Sequence, residues 1–151
     1  MSLSTPICNF GEKSYDFNLK STENKLISLN DVKGNNGYLV MFICNHCPYV
    51  QAIISFLVDD AKYLESIGVK SVAIMSNDTK NYPEDSFENM KKFSKDNNFS
   101  FPYLYDEDQQ VAKKYSAVCT PDFFGYNKKS ELQYRGRILE AKKLKPVHTG
   151  D

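Results

Sequence analysis

Residues 39–49 read Leu39-Val40-Met41-Phe42-Ile43-Cys44-Asn45-His46-Cys47-Pro48-Tyr49, LVMFICNHCPY. An apolar run stops abruptly at two cysteines separated by Asn-His. Three chemistries fit such a pair: a metal clip, a structural staple, or a redox centre. The flanking residues decide where the pair sits. Tyr38 to Ile43 is uninterrupted and apolar, as in a central strand covered on both faces. Beyond the cysteines, Val50, Ile53, Ile54, Leu57, Val58, Ala61 and Leu64 recur at spacings of three and four, one stripe of a helix. Gly68 ends it. Pro48 lies near its start, where first-turn amides have no intrahelical partner to lose. The cysteines therefore stand at a strand-to-helix junction.

Working outward, Tyr15, Phe17 and Leu19 alternate with polar residues, and Leu26 to Leu29 reads as the returning strand of an N-terminal β-hairpin. Val69 to Met75 is a second buried strand, closed by Ser76-Asn77-Asp78. Pro83-Glu84-Asp85 is expected to open a helix whose inner face is Phe87, Met90 and Phe93. Phe101 to Tyr105 is a short strand. Asp106 is expected to cap a helix through Tyr115, with Val111, Ala112 and Tyr115 inward. After Thr120-Pro121, Phe123 to Tyr126 and Leu132 to Ile138 pair as a hairpin. Strands alternating with helices imply an α/β fold with a parallel core and right-handed crossovers, and the hairpins make the central sheet mixed. A single domain over 1–151 is expected.

Charge narrows the function. Lys+Arg and Asp+Glu are both 19, so the formal net charge is zero. Nucleic acids and anionic membranes both demand a positive surplus, and neither is expected as a partner. No apolar run approaches the roughly 18 residues that span a bilayer. Residues 1–6 carry neither a basic cluster nor an apolar core, so a cytoplasmic location is expected. There, stable staples are rare, and a close cysteine pair is catalytic or metal-binding. The four cysteines, Cys8, Cys44, Cys47 and Cys119, are too few and too unevenly spaced for a disulfide framework. Zinc wants four ligands, and no second Cys-x-x-Cys exists. His46, between the cysteines, is not expected to turn easily to the same ion. No phosphate loop or dinucleotide fingerprint is visible, so no metal and no cofactor is expected.

Redox chemistry remains. Cys44 is read as lying just past a strand's carboxyl end and at the mouth of a helix, whose N-terminal amides favour a thiolate. A protonated His46 acts in the same direction. Cys44 is thus expected to be exposed and activated, with Cys47 shielded on the inner side of the first turn.

Four ordered motifs add a resemblance. FICNHCPYV, SNDTKNYPEDS, FPYLYDED and CTPDFF, spread between about Phe10 and Arg137, resemble the thioredoxin superfamily, in its redoxin branch of alkyl hydroperoxide reductase/thiol-specific antioxidant type. The resemblance implies a thioredoxin-like fold and a cis Thr120-Pro121 bond beside the cysteines, whose backbone offers edge hydrogen bonds to an extended substrate. It implies thiol-disulfide exchange on a protein or small-molecule disulfide, with a thiol as electron donor. Cys44 attacks and Cys47 resolves. Asn45 and His46 tune the pair, and Cys119 is either a third redox sulfur or a packing residue. A thiol peroxidase of antioxidant type and a non-catalytic binding module are the alternatives.

Three departures follow from the resemblance. Peroxiredoxins carry Pro-x-x-x-Thr-x-x-Cys, and counting back from Cys44 the matching positions are Met41 and Gly37, which weighs against peroxide turnover. Thioredoxins bury a carboxylate six residues before the first cysteine. Here that position is Tyr38, so Asp78 and Asp122 are the candidate proton acceptors. The fold also usually closes with a helix over one sheet face, and this sequence stops at 147–151, where it would begin. An uncovered face predicts weak self-association or reduced stability.

Overall fold

The computed structural model describes residues 10–117 and 120–136. The decisive apolar run is strand β3 (Gly37–Phe42). Alternation along it divides the core. Met41 and Ile43 face one side with Ala73, Met75, Tyr103 and Phe123. Tyr38, Val40 and Phe42 face the other with Val72, Ile74, Phe124 and Tyr126. A strand covered on both faces has no polar side to show, which is why its sequence is unbroken.

The sheet formed by the described residues has seven strands in the order β2-β1-β5-β4-β3-β6-β7. β3 pairs in parallel with β4 (Val69–Met75), and β4 in parallel with β5 (Tyr103–Tyr105). β6 (Asp122–Asn127) runs antiparallel to β3, and β7 (Leu132–Gly136) antiparallel to β6. At the other edge β1 (Asn18–Ser21) runs antiparallel to both β5 and β2 (Leu26–Ser28). This is the expected mixed α/β sheet with an N-terminal hairpin.

Helix α1 (Pro48–Ser66) lays Val50, Ile53, Ile54, Leu57, Val58 and Ala61 on the sheet, the stripe read from spacing. Gly68, at φ +87°, turns the chain from α1 into β4, a backbone conformation open chiefly to glycine. α2 (Phe87–Asp96) buries Met90 fully, with Phe87 and Phe93 packed partly against the same core. α3 (Gln110–Tyr115) covers the opposite face. Among the described residues no helix is long and apolar enough to cross a membrane.

Two boundaries differ from the sequence reading. β1 begins at Asn18 rather than at Tyr15. The Tyr15 amide donates to the Tyr115 hydroxyl at 3.2 Å, and that hydroxyl donates back to the Tyr15 carbonyl at 2.6 Å, so a side chain takes the bonds a strand neighbour would have made. Pro83–Asp85 is a separate 3-10 turn, and α2 begins only at Phe87. Ser86 caps it, accepting from the Asn89 amide at 3.2 Å. Asp85 is thereby released from any capping duty and turns inward. Asp106 meets its expectation: its carboxylate accepts from the Val111 and Ala112 amides at 3.2 and 2.9 Å. Cys8, Cys119, Ile138 and the place expected for a closing helix lie outside the described residues.

Candidate active site

β3 ends at Phe42, and the chain stays extended through Ile43, whose amide donates to the Ile74 carbonyl at 3.1 Å. Cys44 follows inside the core. α1 starts at Pro48, which makes Cys47 its N-cap. Proline suits this first helical position because its missing N–H would have been unpaired anyway.

That register differs from the expected exposure. Cys44 is 1% exposed and Cys47 is 9% exposed, so both residues are buried, Cys44 the more deeply. The helix amides face Cys47, not Cys44. No capping hydrogen bond to the sulfur is formed, but the Val50 and Tyr49 amides still act on it. A hydrogen bond from Cys44 is the largest influence on Cys47, followed, among the groups that favour the anion, by the Val50 amide, Thr120 and the Tyr49 amide. Together they hold the Cys47 thiol below the ordinary thiol range. Cys44 moves the other way, pushed up by its hydrogen bond to Cys47, by burial, and by the nearby Asp85 charge.

The Thr120-Pro121 bond is cis, as the resemblance implied, and it lies against both sulfurs. Cys44 Sγ is 3.5 Å from Thr120 Oγ1, and Cys47 Sγ is 3.8 Å from the Thr120 carbonyl oxygen. Thr120 is partly exposed, whereas Pro121 is buried.

Under the motif lies a polar cluster built on Asp85, which is 0% exposed. One carboxylate oxygen accepts from the Asn45 and His46 amides at 2.7 and 3.1 Å. The other accepts from His46 Nδ1 at 2.6 Å and Asn77 Nδ2 at 2.8 Å. Asp85 thus fixes the backbone and the histidine of the Asn-His pair together. Asn45 is buried too. Its side chain accepts from the Tyr103 hydroxyl at 2.8 Å and donates to the Glu84 carbonyl at 3.1 Å, so it braces the turn and is not turned to a substrate. The His46 ring stacks on Tyr82 at 5.3 Å and 13°, with about a third of its side chain exposed.

Of the two acidic residues expected to serve the cysteines, neither is near them by any hydrogen bond. Asp78 is spent on its own turn, accepting from the Lys80 amide at 2.9 Å and Asn81 Nδ2 at 2.8 Å. Asp122, 1% exposed, pairs with Arg135 at 3.0 Å. Tyr38 faces the far side of the sheet and stacks on Tyr126. Asp85 was missed as a site residue because its contacts run 40 positions back along the chain.

One donor atom each from Cys44, His46 and Asp85 lies within 4.8 Å of the others, a spacing that an ion could bridge. Each Asp85 oxygen already accepts two hydrogen bonds, however, so the carboxylate is fully engaged. His46 and Asp85 are hydrogen-bonded to each other, and Cys44 lies beside them.

A model of the AhpC/TSA family matches residues 10–139. A solved structure of an uncharacterized conserved protein from Geobacillus kaustophilus is 39% identical, with a TM-score of 0.89, covering 97% of this chain and 78% of that one. A putative protein disulfide isomerase from Bacteroides thetaiotaomicron shares the fold at 17% identity, with a TM-score of 0.73 over 95% of this chain and 89% of that one. Peroxidoxin BcpB from Mycobacterium tuberculosis shares it at 15% identity, with a TM-score of 0.72 over 95% of this chain and 100% of that one. No curated protein matches the chain.

Proposed function

We propose that this chain, which belongs to the AhpC/TSA family and has its thioredoxin-like fold, is a thiol-disulfide oxidoreductase working through Cys44 and Cys47. The observation that carries the reading is the placement of the pair: Cys44 follows β3, Cys47 caps α1, and both sulfurs lie against the cis Thr120-Pro121 bond. The thiolate is the nucleophile in such exchange. One sulfur of the pair attacks a protein or small-molecule disulfide as a thiolate and releases one substrate sulfur as a thiolate. The other sulfur of the pair then attacks the mixed disulfide, releases the remaining substrate thiol and leaves the pair oxidised. A thiol donor restores it. The partly exposed Thr120 would offer its backbone to an extended substrate segment.

A trap tests this. Cys44→Ser and Cys47→Ser each leave one sulfur with no resolving partner, so the variant that keeps the attacking sulfur is expected to hold substrate covalently, and which of the two does so gives the order of attack. Two empty traps overturn the reading.

The lowered Cys47 pKa favours one second reading, a thiol peroxidase. There, Cys47 would take oxygen from a peroxide as sulfenic acid, and Cys44 would condense with it, releasing water. Peroxide consumption by the wild type, lost in Cys47→Ser, distinguishes it from disulfide exchange.

A further inference from the structure

We propose that Asp85 is a positioning residue that makes the cysteine pair a reductant, by drawing the Asn45 and His46 amides away from Cys44 and setting a negative charge beside it. The inference rests on the dithiol reading above, and it gives that exchange a direction. Electrons leave the pair for a substrate disulfide.

The two sulfurs hold matching places in the chain and meet different surroundings. In a tight turn a short acceptor side chain takes the amide two residues on. For Cys47 that amide belongs to Tyr49, and the Val50 and Tyr49 amides both act on its sulfur. For Cys44 it belongs to His46, and Asp85 has it, accepting at 3.1 Å. The same carboxylate oxygen accepts from the Asn45 amide at 2.7 Å, so both N–H groups between the cysteines are engaged by Asp85. The other oxygen is anchored by His46 Nδ1 at 2.6 Å and Asn77 Nδ2 at 2.8 Å, and the residue is 0% exposed. The carboxylate cannot swing away to release the amides. One of its oxygens lies within 4.8 Å of Cys44 Sγ. Cys44 is held above the ordinary thiol range by its hydrogen bond to Cys47, by burial and by this charge.

A disulfide is a strong oxidant when its reduced form is stabilised, and donors or positive charge around a thiolate supply that stabilisation. Asp85 does the reverse. It raises the free energy of the reduced pair and hardly touches the disulfide, which carries no charge. The favoured reaction is transfer to substrate. The substrate S–S bond breaks, the Cys44–Cys47 S–S bond forms, and two electrons pass from the pair to the substrate. Counted as thiols, the pair loses two protons and the two substrate sulfurs gain them. Among the described residues, His46 is the hydrogen-bond partner of Asp85 that can carry a positive charge.

Equilibration with glutathione reads the balance between the two forms. In a buffer at the cytosolic poise the wild-type pair is expected to stay mostly oxidised, as a pair more reducing than glutathione must. In Asp85→Asn the equilibrium constant is expected to shift about tenfold towards the reduced pair, about 30 mV. Tyr103→Phe loosens the same turn through Asn45 but leaves both amides on Asp85. A purely structural loss lowers the oxidised and reduced forms alike, so its potential is expected to match the wild type. His46→Gln removes the ionisable partner and keeps the carboxylate, so its potential is expected to hold or fall. A wild-type pair that glutathione keeps mostly reduced overturns the proposal. So does an Asp85→Asn potential at or below the wild-type value, or a rise in Tyr103→Phe as large as in Asp85→Asn. Should Asp85→Asn not fold, the wild-type and His46→Gln potentials decide, and a rise in His46→Gln overturns the proposal. Failure of the dithiol reading looks different: the wild type forms only mixed disulfides with glutathione and no Cys44–Cys47 bond, and the proposal falls with it.

Discussion

Asp85 and Asp122 are two buried carboxylates flanking one cysteine pair, and they are put to opposite uses. Asp122 opens β6 and meets Arg135 of β7 at 3.0 Å, with both side chains at 5% exposure or less. Arg135 also lies over the Phe124 ring at 4.5 Å and donates to the Ser116 carbonyl at 2.6 Å. Its charge is answered by a full charge, and the pair ties two strands to the end of α3. Asp85 accepts from amides, an imidazole and an amide side chain, all on or beside the Cys-x-x-Cys turn. Its charge is answered by dipoles, and it acts on Cys44. A buried carboxylate near a reactive sulfur is therefore not informative by burial alone. What it is paired with decides whether it serves the chemistry or the scaffold.

The largest expected effect falls on the scaffold carboxylate. Asp122→Ala removes the carboxylate from a buried ion pair, and breaking such a pair from one side costs about 3–5 kcal/mol. Denaturant unfolding of the reduced protein measures it. The rate of disulfide exchange is expected to hold, because the Asp122 carboxylate is paired with Arg135. A changed rate with normal stability would make the two carboxylates alike after all.

Asp85→Asn is expected to cost less in stability, about 1–3 kcal/mol for mismatched donors, and more in chemistry. The carboxylate charge opposes Cys44 ionisation, so its removal lets the Cys44 thiol fall towards its ordinary range. Cys47 supplies the reference. Its folded pKa lies below the ordinary 9.0, so the thiolate persists to lower pH than a free thiol allows and is lost as pH falls through the folded value. Alkylation of the wild type then falls about tenfold per unit below that value. In Asp85→Asn, alkylation of Cys44 is expected to extend to lower pH than in the wild type.

Much of this was readable from residue order, and the failures have physical causes. The apolar run into Cys44, the stripe from Val50 to Ala61 and the cis Thr120-Pro121 bond were all anticipated. The cap position of Cys47 and the burial of Cys44 were not, although Pro48 carried the signal: a proline at the first helical position makes the residue before it the cap. Ser86 likewise marked the true start of α2, which frees Asp85. Asp78 followed by Lys80 and Asn81 is a side chain that satisfies its own turn, a local pattern readable without any fold. What no local pattern carries is the bond from Asp85 to amides 40 residues earlier. That contact needs α1, β4 and the Pro83–Asp85 turn in place together.

The smallest effect is expected at Tyr103, and it separates a network from a single bond. Tyr103→Phe removes a hydroxyl that donates to Asn45 Oδ1 at 2.8 Å from a position 1% exposed. One neutral hydrogen bond is lost, and a buried acceptor is left partly unpaired, a cost of about 1 kcal/mol. The turn should hold regardless. Asn45 still donates to the Glu84 carbonyl, its amide still reaches Asp85, and its carbonyl still accepts from Gln51 at 2.9 Å. The rate of disulfide exchange should therefore stay near the wild-type value while melting temperature drops by a few degrees. If Tyr103→Phe changed exchange as strongly as Asp85→Asn, the bond from Tyr103 to Asn45 would be holding the turn as firmly as Asp85 does.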